Sequence, residues 1–396
     1  MKKTILALFL FLICNSGISQ MQSCKVKDVW KNEIYNYVYQ INDSSLDNFT
    51  DLEFLTELLA DKKYIFLGES SHEVAEYYQI KNRLIQFLNR KLGYKVLALE
   101  SYKLICLESN EIKNKISVDS LFTYCFPYRD DIFTPVGAKS LMDFFKDNDL
   151  QITGVDIDLE RPIRFQQILR KHFPNIPETV LLQDSLITTS YSKKRGLLFN
   201  SWDTILIDSS IFNFNDTRVQ EINEALINKV NWLYKEKRNS HNKRDSVMAR
   251  NIVRLITDFY PDEKIIFWAH NEHISKKNPF MTSMNKLLPD SIMSKSYVLG
   301  LYGFQGETGV RDSGPVQLVK NKRNSLGSIM NCAGFEIAFC DFSKQIKTES
   351  NSWMFEKIQT ISWAFQRPKI VPIEYYDGII QIKNISSTKL KTKPKR

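Results

Sequence analysis

The sequence predicts an α/β fold, a largely parallel sheet flanked by helices, with a helical insertion over the carboxyl edge of the strands. Short runs of Val, Ile, Phe and Trp without polar alternation recur along the chain, as in strands buried on both faces. Between them, apolar residues fall at three- and four-residue intervals, the period of an amphipathic helix. Several of the runs end in an ionisable residue, which is what parallel strands deliver to the ligand-binding edge of an open sheet.

Taken in order, the first residues read as an export signal: Lys2 and Lys3, an apolar run from Ile5 to Cys14, then small residues at Gly17 and Ser19. The run is shorter than the ~20 residues of a membrane span. It predicts a signal peptide over 1–19 and an exported protein, periplasmic or secreted, with no stable membrane insertion. Lipid attachment at Cys14 or Cys24 is the weaker alternative, because bulky Ile13 precedes the first and Met21-Gln22-Ser23 the second. A single domain is expected over 25–385. It opens with a polar helical lead-in over 25–62, where Leu52, Leu55, Leu58 and Leu59 have helical spacing.

A strand over 63–67 follows, then a helix from Val74 to Leu92 striped by Val74, Tyr77, Ile80, Leu84 and Leu88, with Gly93 placed for a left-handed cap. The next strand, Lys95 to Leu99, ends at Glu100. A helix over 136–146 leads to the strand Ile152–Val155 and Asp156. Polar-amphipathic helices without clear strands fill about 177–243, the predicted insertion. A helix from Asp245 to Phe259, stopped by Pro261, precedes the strand Ile265–Trp268. Val298–Gly303 reads as a further strand, Gly303, Gly306, Gly309 and Gly314 as a loop, and Ile379–Ile382 as the last strand. Residues 386–396 form a basic tail.

With 396 residues, 43% of them hydrophobic and 25% charged, the chain has the composition of an ordinary globular protein. Its net charge of +9 is concentrated in the signal and in Lys389, Lys391, Lys393, Lys395 and Arg396. That tail lacks interleaved aromatics, so it reads as a solvated end and no nucleic-acid partner is expected. Of six cysteines, five would remain after cleavage, with no CxxC pair. This argues against a zinc knuckle and a dense disulfide framework. Export permits a bridge, and Cys332 and Cys340 are the nearest pair in sequence.

The chemistry-bearing segments are Gly68-Glu69-Ser70-Ser71-His72 and Trp268-Ala269-His270-Asn271-Glu272-His273, which hold three of five histidines. A histidine beside a carboxylate can act as general base near neutral pH. His72 with Glu69 or Glu100 is therefore a candidate to activate water. His270 and His273 admit three readings: hydrogen-bonded loop supports, donors to a developing oxyanion, or, with Glu69 and His72, ligands of a divalent metal. A serine nucleophile is not expected, since Ser70 and Ser71 lack the GxSxG elbow.

These segments, together with Glu76-Tyr77-Tyr78, Ala98-Leu99-Glu100, Gly154-Val155-Asp156, Arg244-Asp245-x-x-Met248-Ala249-x-Asn251 and Tyr376-Asp377-Gly378-Ile379-Ile380, stand in the order found in the erythromycin esterase family, which the chain resembles from about residue 50 to 385. The resemblance implies an esterase that opens a macrolactone by water attack with a histidine base and no metal or other cofactor. It places Glu69 and His72 as the first active-site pair, Glu100 as the acid after the second strand, Arg244 as the active-site arginine, and His270 and His273 as the second histidine pair. Asp156, at the same edge, is expected to bind substrate. Three features depart from the family: Glu73 replaces a glycine, Glu272 occupies a variable position, and an export signal is present. The expected partner is a small-molecule ester or lactone, a macrolide if the chain confers antibiotic resistance. A metal-dependent hydrolase using the same residues and a non-catalytic binder of a small ligand are the alternatives.

Overall fold

The computed structural model describes residues 24–42, 48–126, 135–157, 170, 240–278, 281–309 and 314–388. The signal peptide, residues 177–239 of the expected insertion and the tail beyond 388 lie outside the described residues. The strands are β1 (Val38–Ile41), β2 (Tyr64–Leu67), β3 (Tyr94–Tyr102), β4 (Gln151–Asp156), β5 (Lys264–Trp268), β6 (Ser296–Gly309), β7 (Pro315–Gln317), β8 (Ile337–Asp341), β9 (Ile358–Gln359), β10 (Lys369–Ile370) and β11 (Gly378–Ile385). Nine of them form one sheet in the order β1-β8-β11-β6-β2-β5-β3-β4, with β7 paired to β6; β9 and β10 form a separate ribbon. From β11 to β4 every pairing is parallel, and β8 and β1 add antiparallel strands at one side.

Both faces of the sheet are buried, which explains the unbroken apolar runs. Ile65, Leu67, Ile266 and Trp268 point to one face and pack with the helices Ala75–Leu92 and Val136–Asp147. Tyr64, Phe66, Ile265 and Phe267 point to the other and pack with Met248, Ala249 and Ile252 of the helix Ser240–Arg254. Gly93 caps the first helix in the left-handed conformation, φ 73°, accepting no steric penalty because it has no Cβ.

Strand register positions the site. Leu67 pairs with Trp268, Trp268 with Leu99, and Leu99 with Gly154, so four adjacent parallel strands end level. The residues just beyond this line, Glu69, His270, Glu100 and Asp156, therefore emerge at one carboxyl edge.

Several expectations are corrected. Most of the expected glycine loop is strand: β6 runs on through Gly303 and Gly306 to Gly309 and pairs with β7. Glycine is needed at 306 because φ is 116° and a Cβ would strike the Ile385 carbonyl of neighbouring β11. The lead-in contains β1 and only short helical turns, among them Phe54–Leu58. The helix before Pro261 changes to a π-helical turn over Leu255–Phe259. The disulfide joins Cys24 to Cys332, with Cα atoms 5.5 Å apart, while Cys340 is a free thiol buried in β8. Among the described residues no helix is long and apolar enough to cross a membrane.

Candidate active site

Glu69 lies immediately after β2, where Gly68 lets the chain pass close to the next loop; a Cβ there would collide with the Asn271 side chain. Asn271 in turn donates from Nδ2 to Leu301 O at 2.9 Å and accepts from Leu301 N at 3.3 Å, fastening the second motif to β6. Its backbone N–H donates to Glu69 O at 2.8 Å, so the two motifs are tied directly.

His72 donates from Nδ1 to Glu69 Oε1 at 2.6 Å. The other carboxylate oxygen, Oε2, accepts from Lys81 Nζ at 2.6 Å and Trp268 Nε1 at 3.0 Å. Lys81 is fully buried, its ammonium 4.2 Å from the Trp268 ring centroid. Burial alone would raise the Glu69 carboxyl, but Lys81 and His72 outweigh it and hold Glu69 at about 2. Burial pushes Lys81 down to about 8 against the pull of Glu69. For His72, burial is opposed and overcome by the Glu69 hydrogen bond and charge, and the ring stays protonated to higher pH than an ordinary histidine.

Glu100 is the hub of the second cluster. Its Oε1 accepts from Arg244 Nη2 at 3.0 Å and lies 3.3 Å from His273 Nε2; its Oε2 accepts from His270 N at 2.8 Å. Although buried, it is held far below the usual carboxylate range by His273 and Arg244. Arg244 also donates from Nε to Asp156 Oδ1 at 2.9 Å and from Nη2 to Asp156 Oδ2. Asp156 thus lies against the arginine, and its Oδ1 accepts from Ile157 N as well. This carboxylate, expected to bind substrate, is buried against Arg244 as its counter-charge.

The two histidines of the second motif are in different states. His273 has Nδ1 between both Asp245 oxygens, at 2.9 and 3.0 Å, and Nε2 towards Glu100. Burial disfavours its charge, but the two carboxylates raise it to about 10, making it an imidazolium at neutral pH. His270 accepts at Nδ1 from Glu272 N at 3.2 Å, which leaves the proton on Nε2. Burial and the charge of His72 keep this ring neutral, well below the ordinary histidine range. Its Nε2 is buried with no hydrogen-bond partner among the described residues. The His72 and His270 ring centroids are 5.1 Å apart.

All seven residues expected at the site, Glu69, His72, Glu100, Asp156, Arg244, His270 and His273, therefore fall in one connected network. Lys81, Asp245, Trp268 and Trp363 belong to it and were not assigned roles from sequence. Asp245 sat within a quoted motif and could have been found there. Lys81 looks like a surface lysine until the helix is docked, and Trp363 lies in no motif. Glu73, where the resemblance leads one to expect glycine, adopts φ 61°, the left-handed region that favours glycine. Among the described residues no group of three or more His, Cys, Asp and Glu side chains is arranged to hold a metal ion.

A family model described as erythromycin esterase matches residues 213–385. YbfO of Bacillus subtilis (strain 168), a provisionally named hydrolase, is 23% identical over 97% of this chain and 97% of its own length. Two solved structures share the fold at 15% identity each. One is a Bacillus cereus protein, with a TM-score of 0.74 over 92% of this chain and 99% of that one. The other is a mutant of the erythromycin esterase EreC in its open conformation, with a TM-score of 0.65 over 88% of this chain and 98% of that one. The matched segment contains Arg244, His270 and His273, and together with the shared fold it bears out the resemblance read from the motifs: over residues 213–385 the chain is similar to the erythromycin esterases.

Proposed function

We propose that the protein is an exported hydrolase that cleaves a carboxylic ester or macrolactone by attack of water activated by His72. The observation that carries this reading is the pairing of two unlike imidazoles, their centroids 5.1 Å apart. With Nδ1–H given to Glu69, neutral His72 presents a lone pair at Nε2, whereas His270 presents an N–H donor there. The first suits a base and the second an oxyanion donor.

In this mechanism the water oxygen bonds to the substrate carbonyl carbon while its proton passes to His72 Nε2. The carbonyl electrons move to oxygen, where His270 Nε2–H and the guanidinium of Arg244 stabilise the tetrahedral anion. Collapse breaks the bond to the alcohol oxygen, and His72 returns its proton to that leaving group. Glu69 fixes the His72 tautomer; Glu100, Asp156, Asp245 and His273 position the donors and do not touch the reacting atoms. Export is supported by the signal-like first residues and by the Cys24–Cys332 disulfide, a bond that persists in oxidising compartments.

The test is a mass-spectrometric time course of a 14-membered macrolide and a panel of simple esters with the mature protein and its His72→Ala variant. Wild type is expected to add one water, and the variant to lose about 10²–10⁴ of the rate while unfolding at the same temperature. An active, folded His72→Ala enzyme would refute the assignment of the base. Absence of hydrolysis across the panel, with a ligand co-purifying, would favour a binding protein.

A further inference from the structure

Between β9 and β10 the backbone does something costly. Trp363 and Ala364, consecutive and neither of them glycine, both lie in the left-handed region, at φ 52° and 65°. Such conformations persist when surrounding contacts over-determine them, and they cluster at functional sites. The contacts here are specific. Trp363 N donates to Ser70 O at 2.9 Å, inside the first motif, and Val319 N donates to Ala364 O at 2.9 Å. Ser362 and Gln366 close the loop by two backbone hydrogen bonds.

This loop places the indole against both histidines. Its plane stacks on His270, with centroids 4.3 Å apart and planes 20° apart, and it meets His72 edge-on at 5.0 Å. Its Nε1–H donates to Glu272 Oε1 at 3.1 Å, and Ser362 Oγ lies 3.4 Å from the same oxygen. The remaining Glu272 oxygen, Oε2, stands 3.9 Å from His270 Nδ1, too far for a hydrogen bond, and Nδ1 accepts from the Glu272 backbone instead.

We propose that Trp363 is a positioning residue of the hydrolytic site: it roofs the His270 ring and, through its indole N–H, holds the Glu272 carboxylate off His270 Nδ1, so that His270 remains a neutral donor beside His72. The inference rests on the proposed hydrolytic reading for its purpose, but its physical content is independent of turnover. If the indole N–H is removed, Glu272 can rotate to accept from a protonated Nδ1. The ring then becomes an imidazolium, and its tautomer is no longer set by the Glu272 amide. The other charged or titratable groups facing His270 are Glu69 and His72 from the loop after β2, Glu100 from β3, and His273 from its own turn. Arg367 of the Trp363 loop turns away towards the Lys320 carbonyl. Glu272 is thus the carboxylate whose position the loop controls.

The experiment is an imidazole NMR titration of the full mature protein, tractable because the chain has only five histidines. Wild type is compared with Trp363→Phe, which keeps an aromatic roof but removes the N–H, and with Trp363→Phe combined with Glu272→Gln. His270 is expected to stay neutral through pH 5–8 in wild type, to titrate within that range in Trp363→Phe, and to return to neutral in the double variant. Glu272→Gln alone, which leaves the loop sequence intact, is expected to titrate like wild type. An unshifted His270 in Trp363→Phe, or a shift that survives Glu272→Gln, overturns the proposal. In ester turnover, Trp363→Phe should lower kcat, by no more than the ~10²–10³ of a lost oxyanion donor, with less change in KM. If no ester is turned over by wild type, the hydrolytic reading fails while the titration still decides what Trp363 does.

Discussion

Lys81 shows how much of the candidate site depends on one buried side chain, its ammonium fixed between Glu69 and the Trp268 ring. With Lys81 absent, Glu69 would be a buried carboxylate left with His72 and the Trp268 indole N–H, and removing one partner of a buried ion pair costs about 3–5 kcal/mol. Lys81→Met is therefore expected to lower the thermal midpoint. It should also move the pH dependence of turnover, because an uncompensated Glu69 holds the His72 proton more tightly. A base works when neutral, so kcat/KM rises with pH through a His72 limb already above 6.5 in wild type, and the variant's limb should lie higher still. An unchanged limb would remove Lys81 from the relay. His273 makes a separate prediction for stability. Its folded value of about 10 exceeds the unfolded value of about 6.5, so its contribution is complete below the latter and is lost as pH rises towards 10. Lys81, lowered to about 8, acts in the opposite sense only above that pH. The window from 6.5 to 8 is thus where chemical denaturation should show falling stability, and His273→Gln should flatten that slope.

The motifs function as elements because the loops after β2 and β5 lock together through Gly68 and Asn271. Gly68→Ala puts a methyl where Asn271 Oδ1 and Ile274 already sit. It is expected to cost about 1–3 kcal/mol and to reduce turnover with it, since His72 and His270 would separate; full activity at unchanged stability would show that the two loops are not coupled there. The same packing explains what could be read in advance. β2 and β5 were legible because strands covered on both faces carry uninterrupted apolar runs, and the helix Ala75–Leu92 because its stripe faces one layer. The extension of β6 was not, because Gly303 and Gly306 resemble loop residues until β11 is seen pressed against them. β8 escaped notice since Ile337–Asp341 is bounded by no helical pattern, and its place depends on pairing with β1 and β11, far away in sequence. Among site residues, those at strand ends were readable from strand polarity alone. Lys81 and Trp363 were not, because their roles come from docking a helix and a strained loop against distant strands.

At the scale of the whole molecule, the Cys24–Cys332 bridge ties the start of the described chain to the turn after the helix Leu326–Asn331, 308 residues away. Around it, Trp30 Nε1 donates to Ser352 Oγ, Asn324 N–H donates to Lys25 O, and β1 pairs with β8, so the amino-terminal segment is fastened to the C-terminal part of the sheet at several points. Closing so long a loop in the unfolded chain removes much of its freedom, and a native bridge of this kind contributes about 2–5 kcal/mol. The bridge also bears on how the chain would be processed under the proposed export, because a cysteine in a disulfide cannot carry a lipid. Thiol counting on the denatured, unreduced mature protein is expected to find Cys106, Cys125 and Cys340 and no others. Cys332→Ser should add one reactive thiol, at Cys24, and lower the thermal midpoint; dithiothreitol should lower the wild-type midpoint in the same way and leave the variant unaffected. A fourth thiol in the wild-type protein, together with a lipid-sized mass increment at Cys24, would instead mean that the segment is anchored to a membrane and that Cys332 is free.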